Sequence, residues 1–370
     1  MFMNKKLNKT GTALLISASI LLMSLSAQAQ FTETREFVKR FRILNETRID
    51  ITNKYGKIEL NTWKKDSVVI QFRMEIKEKK PDKLAKTLDK LDFDITNSQY
   101  YLIVKTQVDK NRSPIESELL KFKETMLQTN GSIRIDMVVW LPEDHELRLE
   151  NKFGDIIMGD YQGEIQIILS NGKLKTGDLP KRASLNLSFA DATLNNLPNA
   201  NIISNYSDIQ IKNSGSLRFE SKSSTIEILN SESLNIDSRR DKYRLRIADK
   251  LDATGNFSQF IVSELKNKAN MRLSYGSLDM EKIMTSFSSI YVDSQSTDVN
   301  LYFNPEAKFN FQITETKTNL KLGRELKVED KEVLDSKENK IRHSGYFGKK
   351  MTEDQLIINA IGGETNILSY

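Results

Sequence analysis

The chain of 370 residues contains no cysteine, two histidines, two tryptophans, six prolines and sixteen glycines. Without cysteine there can be no disulfide, thiolate nucleophile, iron–sulfur cluster or cysteine-ligated zinc. Two histidines leave little for a histidine-rich metal site. No Gly-x-Ser-x-Gly elbow and no phosphate loop occur, so no cofactor is implied. An excess of one charge sign is also missing: 55 basic residues face 50 acidic ones. Three of the lysines (Lys5, Lys6, Lys9) stand in residues 1–29, which hold no acid, so beyond that segment the balance is 52 to 50. Such a near-neutral chain gives no electrostatic case for nucleic acid as a partner. What is present is enough apolar residue for a core, 38% of the chain, in a length that allows one large or two ordinary domains.

The first 29 residues read as a signal peptide. Lys5, Lys6 and Lys9 form a basic start, Thr12–Leu25 is apolar or small, and Ala27-Gln28-Ala29 is a small-residue cleavage site. The apolar run is short of the roughly 20 residues that span a bilayer. No cysteine follows it to carry a lipid, and no later run is long enough to span. The expectation is an exported chain with no transmembrane anchor after cleavage, in the periplasm, at the outer-membrane surface or secreted.

From Asn151 onward a short phrase recurs: an aromatic or small residue, then Gly, Ser or Ala, usually a polar residue, then an apolar one. It reads Phe153-Gly154-Asp155-Ile156, Asn171-Gly172-Lys173-Leu174, Phe189-Ala190-Asp191-Ala192 and Tyr206-Ser207-Asp208-Ile209. It continues as Ser223-Ser224-Thr225-Ile226, a degenerate Arg240-Asp241-Lys242-Tyr243, Phe257-Ser258-Gln259-Phe260 and Tyr275-Gly276-Ser277-Leu278. The apolar anchors are 17 or 18 residues apart throughout, a period that marks a repeat architecture. Each period holds two short alternating runs, such as Ile226-Glu227-Ile228 and Leu234-Asn235-Ile236. One such unit cannot bury its apolar face alone, whereas units stacked at the strand spacing of roughly 4.8 Å share a continuous core. The fold class is therefore all-β, a single-stranded β-solenoid with coils of 17–18 residues; a meandering sandwich or barrel is the alternative.

The expected organisation is residues 1–29 as signal peptide and 30–150 as N-terminal strands with capping helices. Residues 151–303 hold the solenoid repeats, and 304–370 the C-terminal strands and cap. Pro81–Leu91 and a segment from Ser113 read as helices, the latter with Ser as N-cap and Pro at N1. Tyr55-Gly56-Lys57-Ile58 already carries the phrase, so the first coil can begin there. Asn304-Pro305-Glu306 reads as the end of the array and Glu329–Lys350 as charged loop.

The phrase resembles a family of exported bacterial proteins, common in Bacteroidetes, named putative adhesins with β-strand repeats. The resemblance rests on Asn53-Lys54-Tyr55-Gly56-Lys57-Ile58 before Thr62-Trp63, and on Asn151-Lys152-Phe153-Gly154-Asp155-Ile156. It rests also on Phe287-Ser288-Ser289-Ile290-Tyr291-Val292 leading into Leu301-Tyr302-Phe303. It spans most of the chain beyond residue 29, residues 107–131 and 324–352 being the least typical. It implies an exported β-solenoid of adhesin type and brings no catalytic residues.

Candidate sites follow from the repeat phase. Phe153, Phe189, Tyr206, Phe257 and Tyr275 share one phase, either as an exposed strip suited to sugar rings or as a ladder that packs coil on coil. Packing is the preferred reading. Asp155, Asp191 and Asp208 share another phase, where turn formation is preferred over binding a hard cation. Trp63 and Trp140 invite a carbohydrate reading, but the apolar residues on both faces of Ile133–Trp140 favour a covered strand. His145, after the Pro142-Glu143-Asp144 turn, and His343, in a polar loop, lack the elbow a Ser/His/Asp set needs. The sequence thus points to a non-catalytic protein presenting a repetitive surface to a polysaccharide or an envelope protein, with no nucleic acid. The rival is a β-helix polysaccharide lyase or hydrolase; the short, uniform turns between Phe153 and Leu278 argue against the groove it needs. Ligand and oligomeric state are not encoded in these patterns.

The export reading predicts a mature N-terminus at Gln30 when the protein is taken from the producing cell. N-terminal sequencing checks this; an intact Met1 terminus in a cytosolic fraction contradicts it.

Overall fold

Parallel pairing between strands one repeat apart organises the chain. The computed structural model describes residues 31–108, 132–351 and 354–370; the segment from Ser113 read as a helix lies outside them. They divide into two compact units. The smaller comprises residues 31–35, 74–92, 108 and 132–134 of the described chain. It contains the helix Pro81–Lys90, which has Pro at its first turn, Asp82 near its start and Lys90 near its end, each placed as the helix dipole favours. None of its residues is buried, and Leu84, Thr87 and Leu88 are half-buried. Among the described residues no helix is long and apolar enough to cross a membrane.

The larger unit is a β-solenoid. Every anchor of the repeat is paired in register with the next: Ile156 with Leu174, Leu174 with Ala192, Ala192 with Ile209, Ile209 with Ile226, Ile226 with Tyr243, Tyr243 with Phe260, and Phe260 with Leu278. All of these pairs are parallel, which excludes the meandering sandwich, whose consecutive strands run antiparallel. All eight anchors are buried. A second inward column, Leu149, Ile167, Leu185, Ile202, Phe219, Ile236, Ala253, Met271 and Val292, fills the opposite side of the same core. Residue size is balanced locally within it. Tyr243 and Phe260 stack with centroids 5.1 Å apart, and the two small residues Ala253 and Gly255 stand further along the strand that carries Tyr243. A Cβ at Gly255 would come within 2.7 Å of the Phe260 ring. Coils of 17 and 18 residues keep one register where the extra residue is absorbed in a bulge, as between Leu265 and Lys268 opposite Ala248 and Lys250.

Neither end of the array follows sequence order. The run Arg48–Lys54 and Ile58–Trp63 forms a coil, so the phrase at Tyr55 does open one. On one side it pairs with Leu147–Lys152 and Ile156–Met158. On the other it pairs with Tyr101–Val108 and Ser132–Pro142, strands that come later in the chain. At the far end Ser289–Gln295 and Asp298–Phe303 pair not with the strands that follow but with the last two, Asp354–Ile361 and Glu364–Ser369. Those in turn pair with Phe309–Thr316 and Asn319–Leu322. The final coil is thus slotted between two earlier ones. Asn304-Pro305-Glu306 therefore does not end the array. It is the step that skips one coil, held as a turn by the Asn304 side chain, which accepts the Glu306 N–H at 2.9 Å.

Glu329–Lys350 is strand rather than loop. Leu326–Asp335 and Lys340–Phe347 form an antiparallel hairpin, turning at Asn339 with φ 54°, and the second strand pairs antiparallel with Phe309–Thr316. The charges that made this stretch look like loop lie along the outermost strand, whose residues are almost all exposed. Charge on an outer strand is how an open sheet edge is kept from pairing with another chain.

Removing residues 354–370 leaves Ser289–Phe303 and Phe309–Leu322 without the coil that joins them. The expected outcome is rapid proteolysis within 309–347 while amides of 183–262 stay protected from hydrogen exchange. Unchanged resistance of 309–347 would contradict the interleaved order.

Candidate functional site

The last coil turns through Gly362 and Gly363; at each other described corner between the two runs of a coil, one non-glycine residue adopts a left-handed backbone. These residues are Tyr55, Phe153, Asn171, Phe189, Tyr206, Ser223, Arg240, Phe257, Tyr275, Ser296 and Lys317, with φ between 47° and 69°. Each such conformation costs on the order of 1–2 kcal/mol. Hydrogen bonds between coils offset it: the corner N–H reaches the carbonyl just before the next corner. Tyr55 donates to Lys152 at 2.9 Å, Phe153 to Ser170 at 2.9 Å, Tyr206 to Lys222 at 2.9 Å, Ser223 to Arg239 at 3.0 Å and Arg240 to Asn256 at 2.9 Å.

The residue after each corner supports the next coil. The Ala190 N–H donates to Ser207 Oγ, the Ser207 N–H to Ser224 Oγ, the Ser224 N–H to Asp241 Oδ1, and the Asp241 N–H to Ser258 Oγ. Where the column holds glycine the backbones lie closer: a Cβ on Gly154 would sit 1.9 Å from the Gly56 carbonyl oxygen. The inward position two residues before the corner is also polar in several coils. Asn53 Nδ2 donates to the Ile135 carbonyl and Asn151 Nδ2 to the Gly56 carbonyl, both at 2.8 Å. This explains the Asn-Lys-aromatic-Gly phrase: the asparagine reaches across the coil step that glycine allows. Asp241, in the degenerate repeat, is 4% exposed. Its carboxylate accepts from Ser221 Oγ at 2.7 Å, Ser238 Oγ at 2.7 Å, the Ser224 N–H at 2.7 Å and the Arg239 N–H at 2.9 Å. Beside it the Tyr243 hydroxyl meets Ser221 Oγ at 2.6 Å, and burial pushes its pKa well up. The serine and aspartate column escaped the sequence reading, although Ser204-x-x-Ser207 and Ser221-x-x-Ser224 carry its signature.

Outside this polar spine the candidate aromatics form a column on the surface. Phe153, Phe189, Tyr206, Phe257 and Tyr275 are 49–59% exposed, so they lie outside the core. They do stack coil on coil, in pairs. Tyr55 lies on Phe153 with centroids 5.6 Å apart, Phe189 on Tyr206 at 5.0 Å and Phe257 on Tyr275 at 5.1 Å, with interplanar angles of 13°, 4° and 15°. Each pair covers one face of each ring; the Lys54 ammonium also lies 4.5 Å from the Tyr55 ring centre. Asn171 separates the first pair from the second, and Ser223 and Arg240 separate the second from the third.

Other singled-out residues have structural partners. Asp155 Oδ1 accepts the Lys173 N–H at 2.8 Å, a bond to the next coil, and Asp191 and Asp208 face each other on adjacent strands. Trp140 is half-buried on the outward face, not covered on both sides, and Trp63 donates from Nε1 to the Ser67 carbonyl at 2.8 Å. His343 lies on a strand, buried, 3.3 Å from Glu315 Oε1, not in a loop. His145 Nε2 lies 3.1 Å from the Leu44 carbonyl and Nδ1 3.2 Å from Asp144 Oδ1. Neither ring nitrogen faces a hydroxyl nucleophile. A shallow groove of about 330 Å³ runs over the outward face near Arg48, Tyr101, Arg148, Gln166 and Arg182. Its charges are largely paired: Arg48 with Glu146 at 2.8 Å, and Arg148 with Asp50 at 3.1 Å and Glu150 at 2.6 Å. Burial alone would raise the Glu150 carboxyl, but hydrogen bonds from Arg148 and Lys152 outweigh it and hold it below its ordinary value.

No family model matches the chain, and no curated protein matches it. Solved structures do, two of them as follows. One, described as a putative cell adhesion protein from Clostridium sporogenes, is 11% identical over 91% of this chain and 100% of its own, with a TM-score of 0.20. The other, described as a putative adhesin from Bacteroides fragilis, is 8% identical over 91% of this chain and 97% of its own, with a TM-score of 0.19. Those descriptions agree with the family that the repeat phrase resembles. At such scores the likeness carries no argument about activity, which has to come from the surface itself.

Replacing Asp241 with Ala removes the acceptor for two buried hydroxyls and two N–H groups, with an expected loss on the order of 3–5 kcal/mol. Asp191→Ala, an exposed aspartate in the neighbouring phase, is expected within about 0.5 kcal/mol of wild type. Denaturant unfolding of both variants checks the contrast.

Proposed function

We propose that this is an exported, non-catalytic binding protein of adhesin type whose corner column engages glycan chains. The observation that carries the reading is the set of three stacked, half-exposed aromatic pairs on one line of the solenoid. Exposed aromatic faces cost solvation and are usually buried unless something is to cover them. The apolar C–H face of a sugar ring fits an aromatic face, and the hydroxyls around it remain free for Asn171, Ser223 and the solvent. Contacts spread along a line are individually weak, and their simultaneous engagement raises avidity by roughly 10²–10⁴. The ligand is therefore a polymer rather than a single sugar. Assignment to the periplasm, the outer-membrane surface or the medium rests on the signal-like segment at residues 1–29.

Binding to a panel of polysaccharides is expected to grow with chain length and to weaken by roughly tenfold or more in Phe189→Ala/Tyr206→Ala. The same incubations are followed for new reducing ends and for the absorbance of unsaturated sugars. Sustained turnover would replace this reading with a β-helix lyase or hydrolase, and binding that ignores the aromatic substitutions would remove the column from it.

A further inference from the structure

The interval between the second and third aromatic pairs has its own chemistry. Two coils cross it, with Ser223 and Arg240 at their corners. Lys222 precedes the first corner and stands in register with Arg239, which precedes the second. Lys242 follows the second corner in register with Thr225. Lys222 and Arg239 alternate with the inward Ser221 and Ser238 and so point outward, and Arg239 and Arg240 are exposed. Four cationic residues thus stand around two adjacent corners. Neighbouring cations are paired, Arg218 with Glu220 at 3.4 Å and Arg272 with Asp252 at 4.0 Å. Among the described residues none of Lys222, Arg239, Arg240 and Lys242 forms such a bridge. Glu220 and Asp237, in register with each other, stand two residues back on the same outward face, and Glu227 stands two residues beyond Thr225, yet none of them bridges to these four cations; Asp241 is turned inward and committed to four donors.

This cationic interval is bounded by Tyr206 on one side and Phe257 on the other, three coil steps apart, or roughly 14 Å. We infer that it is a site for an acidic polysaccharide, a chain bearing carboxylate or sulfate groups and lying along the column. Sugar rings stack on the outer faces of Tyr206 and Phe257, and the anionic groups between them reach the guanidinium forks of Arg239 and Arg240, whose planar donors suit carboxylate and sulfate alike. The coil step is close to the rise of one sugar in an extended glycan, so successive units meet successive coils. Single-stranded nucleic acid shares the need for stacking and cations, but the chain's near-neutral balance beyond residue 29 offers it no wider attractive field. This inference rests on the glycan reading of the column and specifies the ligand's charge.

The test uses the full chain, its Arg239→Gln/Arg240→Gln variant and its Tyr206→Ala/Phe257→Ala variant, all exposed positions, with thermal unfolding as the check on folding. Affinity electrophoresis is run through gels containing polygalacturonate, chondroitin sulfate, dextran or oligothymidylate, at low and high salt. The expected result is strong, salt-sensitive retention by one or both acidic glycans, cut roughly tenfold or more in the arginine variant. Weak retention by dextran should be untouched by that variant and lost in the aromatic one. If the arginine variant keeps full affinity for the acidic glycans while the aromatic variant loses it, the charge assignment falls and the glycan reading stands. If no polysaccharide retards the wild type, both fall. Retention by oligothymidylate equal to that by the acidic glycans would overturn the assignment in favour of a general polyanion surface.

Discussion

Everything in the solenoid depends on the corner residue that turns the chain with a left-handed backbone while its N–H stays bonded to the coil beside it. That conformation suits glycine, yet glycine stands at none of the corners from Tyr55 to Ser296. The strain is tolerated because the corner is fixed from both sides: one N–H goes to the neighbouring backbone, and the next goes to a hydroxyl or carboxylate of the residue one coil on. A side chain at the corner points away from the core, since the residue after it and the one two places before it are the ones turned inward. The surface column of aromatics and cations is thus a by-product of how the chain turns.

The same constraint explains why the inward positions flanking the corner are polar. Strands on either side bury Ile, Leu and Phe, but the corner itself exposes backbone donors to the interior. Serine is small enough to sit there and supplies the missing acceptor, and Asp241 does so with four donors at once. A buried carboxylate is costly unless its oxygens are all engaged. The repeat that looks most degenerate in sequence is the one whose polar spine is most heavily bonded.

Much of the solenoid was legible because its period is written in the inward residues. Ile156 through Leu278 announce both the coil length and the pairing register, and the structure pairs each with the next. Three things were not legible. The charges of Leu326–Asp335 mark an outer strand, but composition alone reads them as loop. The neighbours of Ser289–Phe303 cannot be found from local pattern, because Leu356-Ile357-Ile358 and Phe311-Gln312-Ile313 suit either place equally well. The exposure of the aromatic column was open too: phase tells which residues share a line, but not on which side of the left-handed turn that line falls.

The out-of-order coils at both ends bear on how such a chain can change over generations. Between Ile165 and Ile283, duplicating or deleting one repeat adds or removes a layer with matching neighbours above and below. Beyond those limits a layer is built from stretches far apart in the chain, as where residues 356 and 290 lie side by side. A tandem copy made there has no slot to enter. Lengthening is therefore confined to the middle, and the interlocked ends are inherited intact.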